Sequence, residues 1–431
     1  MIPIVLTLLD CEVSPFPRTL YPEDSGLSIF FTQPGMQKFF RNVLNDGSMN
    51  ITGQKFPDIK TSVNLGVTKI DIMLTDMVVS EFSVEDVGIL LQNENILPLV
   101  LAGTRFVLRF NWKIQQQSYP YVGDQGAGNV IVQDAGFQAF TTIGCDYEIC
   151  PNHLLVNIIH AELQIGAIKI ILEGGSSWLY QSMLDLIMGV LQQELQKLIT
   201  QFLSKDMVDL LNDLLNKYQS YQNYKTDNQI TKDERFVSPW VIDNGYVYAL
   251  FSGYVYHVSN YSDEFITSDK LGEVIYNRFN VESEITIAEA CFNNVYYIYH
   301  KYENAYSSQG QFDVIEAPII EFDNAAALLK IKLTVNNSVV DVEMKGKPIY
   351  FRDQKEAGNA VYYFTFEKHN IYSDNQELDL AVLEQQVIDY INQTMERTVY
   401  KQLNSFLYEV EQYQYAFDTI GKVLRIIKMP K

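Results

Sequence analysis

Histidine, cysteine, long apolar runs and basic charge are all in short supply in this sequence, and each shortage removes a class of protein. The five histidines (His153, His160, His257, His300, His369) show no i, i+4 pair and no acidic residue at metalloprotease spacing, so no metal site is expected. The four cysteines (Cys11, Cys145, Cys150, Cys291) are too few for a disulfide scaffold in 431 residues. Cys145 and Cys150 are spaced to close a small loop, and a reduced pair fits the spacing equally well. No run of roughly 18 apolar residues exists, so no segment reads as a membrane-spanning helix. Lysine and arginine number 32 against 53 aspartates and glutamates, a net charge of −21. The deficit is divided almost evenly, −10 over residues 1–220 and −11 over the rest. A surface of that sign repels phosphate backbones and anionic head groups, which excludes a nucleic-acid partner and a polybasic membrane anchor.

Catalytic motifs are missing too. There is no G-x-S-x-G elbow; Gly174-Gly175-Ser176-Ser177 reads as a turn that delivers the chain into a helix capped by Ser177. Gly123, Gly126 and Gly128 join two strand-like runs with no lysine after them, so they read as a hairpin turn and not as a phosphate loop. Carboxylates are abundant but scattered, and nothing selects a pair for acid/base work. The expectation is a protein that is not an enzyme and carries no cofactor.

What is present is apolar and aromatic: 47% of residues are hydrophobic and 13% aromatic, with 20% charged, the profile of a globular chain long enough for two or three domains. Ile2 to Leu9 has the length of a signal-peptide core but no basic flank before it and no small-residue cleavage site after it, so residues 1–12 read as a signal remnant or as a first strand. Sequons at Asn50, Asn260, Asn336 and Asn392 are about what chance supplies in an asparagine-rich chain and barely bear on compartment.

Periodicity organises the chain. From Thr32 to Asp46 an amphipathic helix is predicted, capped by Thr32, with Met36, Phe39, Phe40, Val43 and Leu44 on one face. From Asp58 to Leu172 the period changes to two, most cleanly where Phe106, Leu108, Phe110, Trp112 and Ile114 alternate with Arg105, Val107, Arg109, Asn111 and Lys113. Val63 to Leu74, Val130 to Ile143 and Leu154 to Leu172 complete an antiparallel meander. A helix of about 40 residues, roughly 60 Å long, is predicted from Ser177 to Tyr218 with a break near Ser204 to Asp206. Leu184, Ile187, Leu191, Leu195, Leu198 and Phe202 form its stripe, and a helix that long needs a sheet wrapped along it.

Residues 218–234 are polar and without period, a linker. The pattern then starts again. A strand pair over Val237 to Tyr256 leads to a short helix capped by Ser268 with Leu271, Val274, Ile275 and Phe279 on one face. Strands are predicted at Ile285–Cys291, Val295–His300, Leu328–Val335, Val339–Met344 and Ala360–Phe366. A long helix over Asp374 to Glu409 carries Leu380, Leu383, Val387, Ile391, Met395, Leu403 and Phe406, and a last strand covers Thr419 to Ile427. Short helix, meander and long helix occur twice, which predicts two tandem units, 1–217 and 235–431, duplicated in pattern and not in sequence. A space between helix and curled sheet that side chains leave unfilled would admit acyl chains, as elongated apolar clefts do, while a fully packed core fits the same periodicity.

Several strings, in order, resemble the family of bactericidal/permeability-increasing protein and lipopolysaccharide-binding protein, members of the tubular lipid-binding superfamily. They are Gly26-Leu27-Ser28-Ile29-Phe30-Phe31-Thr32-Gln33-Pro34-Gly35-Met36, Lys55-Phe56-Pro57-Asp58-Ile59, Phe110-Asn111-Trp112-Lys113, Phe236-Val237-Ser238-Pro239 and Phe265 to Phe279. The resemblance implies an α+β boomerang of two barrel-like domains, each a twisted antiparallel sheet around a long helix, joined by a central sheet. It also implies a phospholipid pocket in each domain. Carried over by position, the first would be lined by Met36, Phe39, Phe40, Val43, Leu184, Ile187, Leu191, Leu195 and Leu198. The second would be lined by Leu271, Val274, Ile275, Leu383, Val387, Ile391 and Met395. Lipid and a transient membrane surface are the implied partners, and an extracellular or secretory location the implied compartment.

The sequence departs from the family twice. The family's disulfide joins a cysteine near Cys150 to one in the long helix, and residues 177–218 hold none, which weakens the secretory inference. Where lipopolysaccharide-binding members have lysine-rich tips, this chain reads Gln115-Gln116-Gln117-Ser118-Tyr119-Pro120-Tyr121-Val122-Gly123-Asp124. Endotoxin binding by counter-charge is not expected there, although Tyr119 and Tyr121 suit a membrane interface. The rival expectation is a structural protein of this fold that docks in an intracellular assembly through its acidic surface.

Overall fold

The computed structural model describes residues 25–45, 51–64, 68–91, 96–119, 121–146, 150–175, 193–218, 222–223, 230–233, 237, 241–243, 245–257, 259–260, 281–303, 312–323, 326–352, 360–373, 379–397, 413–418 and 422–429. The chain divides into two compact units, and each is interleaved with the other in sequence. One comprises residues 36–143 and 155–215, here the long-strand unit; the other comprises 1–35, 144–154 and 216–431, here the six-strand unit.

Strand β1 (Leu27–Thr32) runs directly into helix α1 (Gln33–Asn45). Thr32 caps that helix, its Oγ1 accepting from the Gly35 amide at 3.3 Å, as its sequence position predicts. The long-strand unit is then built from β2 (Lys55–Phe56), β3 (Ile59–Asn64), β4 (Lys69–Ser83), β5 (Asp86–Ile89), β6 (Ile96–Gln116), β7 (Gly123–Asp146), β8 (Cys150–Gln164) and β9 (Ala167–Glu173). Their order is β2-β4-β6-β7-β8, with β3 on β4, β5 on β6 and β9 on β7. In β6, Phe106, Leu108, Phe110, Trp112 and Ile114 are buried, while Arg109, Asn111 and Lys113 face solvent. Strands this long bend at bulges. Gly103 at φ +61° lies at the register shift between Leu101 and Thr104, and Asp134 at φ +54° stands opposite on β7. After β9, Gly174 and Gly175 turn the chain at φ +79° and +55°.

Residues 193–201 are helical and continue through a π turn (Phe202–Asp206) into α2 (Met207–Tyr218). The break predicted at Ser204 to Asp206 is thus a wide turn inside one helix. Ser204 Oγ donates to the Thr200 carbonyl at 2.7 Å, an insertion into the helical ladder of the kind that accompanies such turns.

The remaining strands are β10 (Gln222–Asn223), β11 (Ile230–Lys232), β12 (Val241–Asp243), β13 (Tyr246–Phe251), β14 (Val255–His257) and β15 (Ser283–Ala288). They are followed by α3 (Glu289–Glu303), β16 (Asp313–Asp323), β17 (Ala326–Val335), β18 (Ser338–Arg352), β19 (Ala360–Ser373), α4 (Leu380–Arg397), β20 (Tyr413–Asp418) and β21 (Val423–Lys428). They form a six-stranded sheet of order β12-β13-β1-β15-β21-β20, a β10-β11-β14 sheet and a β16-β17-β18-β19 meander. β1 and β15 are antiparallel neighbours, Ile29 opposite Ile285, and each feeds a helix. An ion pair is buried in the six-stranded sheet: Glu284, fully buried, accepts from Arg425 Nε at 2.8 Å and Nη2 at 2.9 Å.

Three other sequence expectations are corrected. Val295 to His300 is helical, part of α3, because the segment is buried on almost every side and tertiary contact overrides the strand preference of its tyrosines and valine. Gly123 to Gly128 is the start of β7 and not a turn. Phe110 pairs with Gly128 and Trp112 with Gly126, and a Cβ at either glycine would lie 2.7–2.8 Å from those rings. Glycine there makes room for cross-strand aromatics. The run from Leu154 to Leu172 is two strands, β8 and β9, separated at Ile165-Gly166. The predicted helix at Ser268 to Phe279, and the part of the last helix beyond Arg397, lie outside the described residues. The final strand spans Val423–Lys428 and is preceded by β20.

Candidate functional site

In the long-strand unit, α1 buries Met36, Phe40, Val43 and Leu44, and Phe39 is half-buried with its ring edge-on to Phe40 at 5.7 Å. Two polar side chains fasten this helix. Gln37 Nε2 donates to the Ile89 carbonyl at 3.2 Å, and the Asn45 amide exchanges two bonds of 2.9 Å with the backbone of Val84. The second helix buries Leu195, Ile199, Phe202, Leu203 and Met207. Its π turn brings Phe202 against Phe56 at 5.2 Å and Phe106 at 5.8 Å, and Phe106 meets Phe82 edge-on at 6.0 Å. Asn212 clamps the same helix to β8, accepting from the Val156 amide at 2.8 Å and donating to its carbonyl at 3.0 Å. The lining is phenylalanine and aliphatic, with backbone polar groups met by asparagine.

The six-strand unit uses the same construction with different side chains. Phe292 of α3 lies 5.3 Å from Phe322 and 5.9 Å from Phe364, and Phe322 continues to Phe417 at 5.3 Å. Helix α4 buries Leu383, Val387, Tyr390, Ile391 and Thr394. Asn293 exchanges bonds of 2.8 and 3.1 Å with Ile320, Asn294 accepts from the Val255 amide at 2.7 Å, and Asn392 accepts from the Phe364 amide at 3.2 Å. Tyr254, Tyr296 and Tyr299 are enclosed at 2% exposure or less. Burial pushes the Tyr390 hydroxyl up to about 12, and burial with the neighbouring Tyr390 pushes Tyr296 up as well. Glu289, at the start of α3, is also raised by burial although it accepts from the Phe322 amide at 2.7 Å. Cys291, a buried thiol, donates to the Gly26 carbonyl at 3.3 Å.

Of the residues carried over by position, Met36, Phe40, Val43 and Leu195 are buried and Phe39 and Leu198 half-buried in the long-strand unit. Leu383, Val387 and Ile391 share the buried face of α4, while Leu380 is 44% exposed; the Met395 side chain lies outside the described residues. Leu184, Ile187, Leu191, Leu271, Val274 and Ile275 lie outside the described residues. Sequence reasoning missed Phe56 and Phe106 as ring partners of Phe202, Phe82 as a ring partner of Phe106, and all of α3. Phe292, Tyr296 and Tyr299 have i, i+4, i+7 spacing, but the equally apolar Cys291, Val295 and Ile298 beside them hide that period.

The turn between β6 and β7 is the other distinctive surface. Tyr119 is 86% exposed, Tyr121 63% and Val122 49%, with the two rings edge-on at 6.5 Å. Tyr121 is held at φ +56° with its amide donating to the Ser118 carbonyl at 2.8 Å, and the Gln117 amide donates to the Lys69 carbonyl at 2.8 Å. Hydrogen bonds from Ser62 and Gln117 hold the nearby Asp71 carboxyl below its ordinary range. Among the described residues no group of histidines, cysteines and carboxylates is placed to hold a metal, and no helix is long and apolar enough to cross a membrane.

Compared with solved structures, the chain matches the crystal structure of lipopolysaccharide binding protein over 94% of its own length and 99% of the other, with TM-score 0.52 and 12% identity. The chain is BPI/LBP-like. Its fold is accordingly α+β and sheet-dominated, the fold of that solved structure. In sequence it is 25% identical over 199 residues to a putative BPI/LBP family protein of Arabidopsis thaliana, a match covering 45% of this chain and 40% of that relative. The chain therefore spans less than half the length of that curated relative in the match. Takeout 1 of Epiphyas postvittana aligns with 42% of this BPI/LBP-like chain and 91% of its own at TM-score 0.30 and 10% identity, too low to carry an argument. No family model matches.

Proposed function

We propose that this protein binds lipid, shielding acyl chains in the apolar interiors of its two units, and transfers or presents that lipid without catalysing a reaction on it. The observation that carries the reading is the pairing of a buried helical stripe with a long antiparallel sheet in both units, within a fold shared end to end with a protein described as lipopolysaccharide binding. Acyl burial needs no catalytic group, since apolar area removed from water contributes roughly 25 cal/mol per Å². The lipid favoured is a phospholipid and not lipopolysaccharide, because the β6–β7 turn offers Gln115, Gln116 and Gln117 where counter-charge to sugar phosphates would be needed. That turn instead presents Tyr119 and Tyr121, whose amphipathic rings suit brief contact with a zwitterionic membrane surface.

Mass spectrometry of solvent extracts from the purified protein tests the reading, together with transfer of labelled phosphatidylcholine between vesicles. Stoichiometric phospholipid and measurable transfer are expected. Finding neither would overturn the proposal and favour the assembly role. Leu195, fully buried on the helix, is the residue for a direct test: Leu195→Trp should lower bound lipid while circular dichroism stays unchanged.

A further inference from the structure

Four buried side-chain oxygens lack a hydrogen-bond partner among the described residues: the hydroxyls of Ser25, Thr104, Ser252 and Tyr296. Three are short hydroxyls close to backbone. Tyr296 differs, because its oxygen stands at the end of a ring. It follows Phe292 by one helical turn on α3, and Phe292 packs on Phe322 and Phe364. Phe364 is bound in turn to α4 through Asn392, so α3, β19 and α4 meet around these rings. Tyr390 of α4 is close enough that its charge would oppose ionisation of Tyr296. Thr394 on α4 donates to the Tyr390 carbonyl at 3.0 Å and is thereby satisfied, whereas Tyr296 has no such outlet.

Buried hydroxyls are nearly always paired, because a donor removed from water without a partner loses its hydration and gains nothing. Phenylalanine would fill the same volume without that loss. Among the described residues of this unit, the two cations with little exposure, Arg425 and Lys428, are engaged by Glu284 and Glu282. Burial is also the leading cause of the upward pKa shifts of both Tyr296 and Tyr390, so their surroundings disfavour negative charge. A carboxylate brought there would be unpaired.

We infer that Tyr296 is the polar handle of a ligand subsite in the six-strand unit, donating to the uncharged carbonyl of a lipid ester or ketone held between α3 and α4. The inference rests on the lipid-binding reading above and adds to it the chemistry of one contact.

Displacement of the neutral dye N-phenyl-1-naphthylamine by three probes, methyl oleate, oleate and 1-octadecene, tests it on the full-length wild type and on Tyr296→Phe. The wild type should bind methyl oleate about tenfold more tightly than 1-octadecene, the worth of one buried hydrogen bond, and Tyr296→Phe should bring that ratio close to one. The phenylalanine interior of the long-strand unit contributes equally in both proteins, so the difference between them reports Tyr296. Thermal melting of Tyr296→Phe should match or exceed the wild type, which separates loss of the contact from loss of the fold. An unchanged ester preference in Tyr296→Phe overturns the inference, as does tighter binding of oleate than of methyl oleate that depends on Tyr296. If none of the probes displaces the dye from the wild type, the lipid-binding reading itself has failed.

Discussion

The long-strand unit lines its interior with phenylalanine, and the six-strand unit mixes phenylalanine with tyrosine. Around Phe202 stand Phe56 and Phe106, with Phe82 behind Phe106; around α3 and α4 stand Phe292, Tyr296, Tyr299 and Tyr390. Both units solve the problem of docking a helix on a sheet in the same way, with helix asparagines serving strand backbone: Asn45 and Asn212 in one, Asn293, Asn294 and Asn392 in the other. What differs is the hydroxyl. A phenylalanine interior asks for nothing but area, so it tolerates any acyl chain that fits. A tyrosine interior must satisfy its oxygens, which makes it sensitive to pH and selective for what enters.

The comparison breaks most severely if either unit loses its centre. Phe202→Ala removes a ring that touches Phe56 and Phe106, and should destabilise the long-strand unit by about 4 kcal/mol. Urea unfolding with hydrogen exchange should show the loss confined to β2, β4, β6 and the helix of residues 193–218. In the six-strand unit, Arg425→Met leaves Glu284 buried without its bidentate partner and should cost about 3 kcal/mol. The double variant Glu284→Gln with Arg425→Met should recover much of that in the same urea experiment, because the uncompensated charge is then gone.

Alkaline pH should separate the two interiors without a mutation. The Tyr390 hydroxyl is held up to about 12 in the folded protein, against about 10 in an unfolded chain. The native state therefore binds this proton more tightly than the unfolded state. The stability it confers is complete below pH 10 and is lost as pH rises toward 12, amounting to about 2–3 kcal/mol. Tyr296, raised further in the same direction, adds to the loss at the upper end. Tyrosinate absorbance followed with unfolding should show the six-strand unit opening first across this window, with the phenylalanine interior of the long-strand unit unaffected by the same titration. Tyr390→Phe should flatten the dependence.

These contrasts were legible in the sequence to different depths. The alternation in β6 and the Thr32 cap of α1 could be read directly, because each has one buried face and the pattern reports it. Helix α3 could not. Its buried positions surround the axis, so neither period stands out, and Asn293-Asn294 resembles a turn between two short strands when its amides in fact hold Ile320 and Val255. Gly126 and Gly128 misled for a related reason: a glycine that makes room for Trp112 or Phe110 looks the same in sequence as one that makes a turn. The stripe residues Leu195, Val387 and Ile391 follow from periodicity alone, whereas Phe202 acquires its ring partners only because the π turn and the strand register bring β2 and β6 to it. The Tyr296 hydroxyl was invisible, since the lack of an acceptor is a property of three elements packed together.

The smallest effects should come from the asparagine clamps, and they should differ between the units. Asn212 makes two bonds to Val156, a buried backbone amide and its carbonyl, so Asn212→Ala leaves both unmet and should cost about 2 kcal/mol. Asn392, itself half-buried, makes one bond, at 3.2 Å, to the Phe364 amide, and Asn392→Ala should cost about 1 kcal/mol. The ordering follows from geometry and not from residue type, which is the same in both. Equal losses in denaturant melts of the two variants would show that the amide side chain contributes mainly through packing. A larger loss at Asn212 would place the difference in the number of backbone groups each clamp satisfies. The two interiors would then differ in how rigidly they hold their helices as well as in which rings they present.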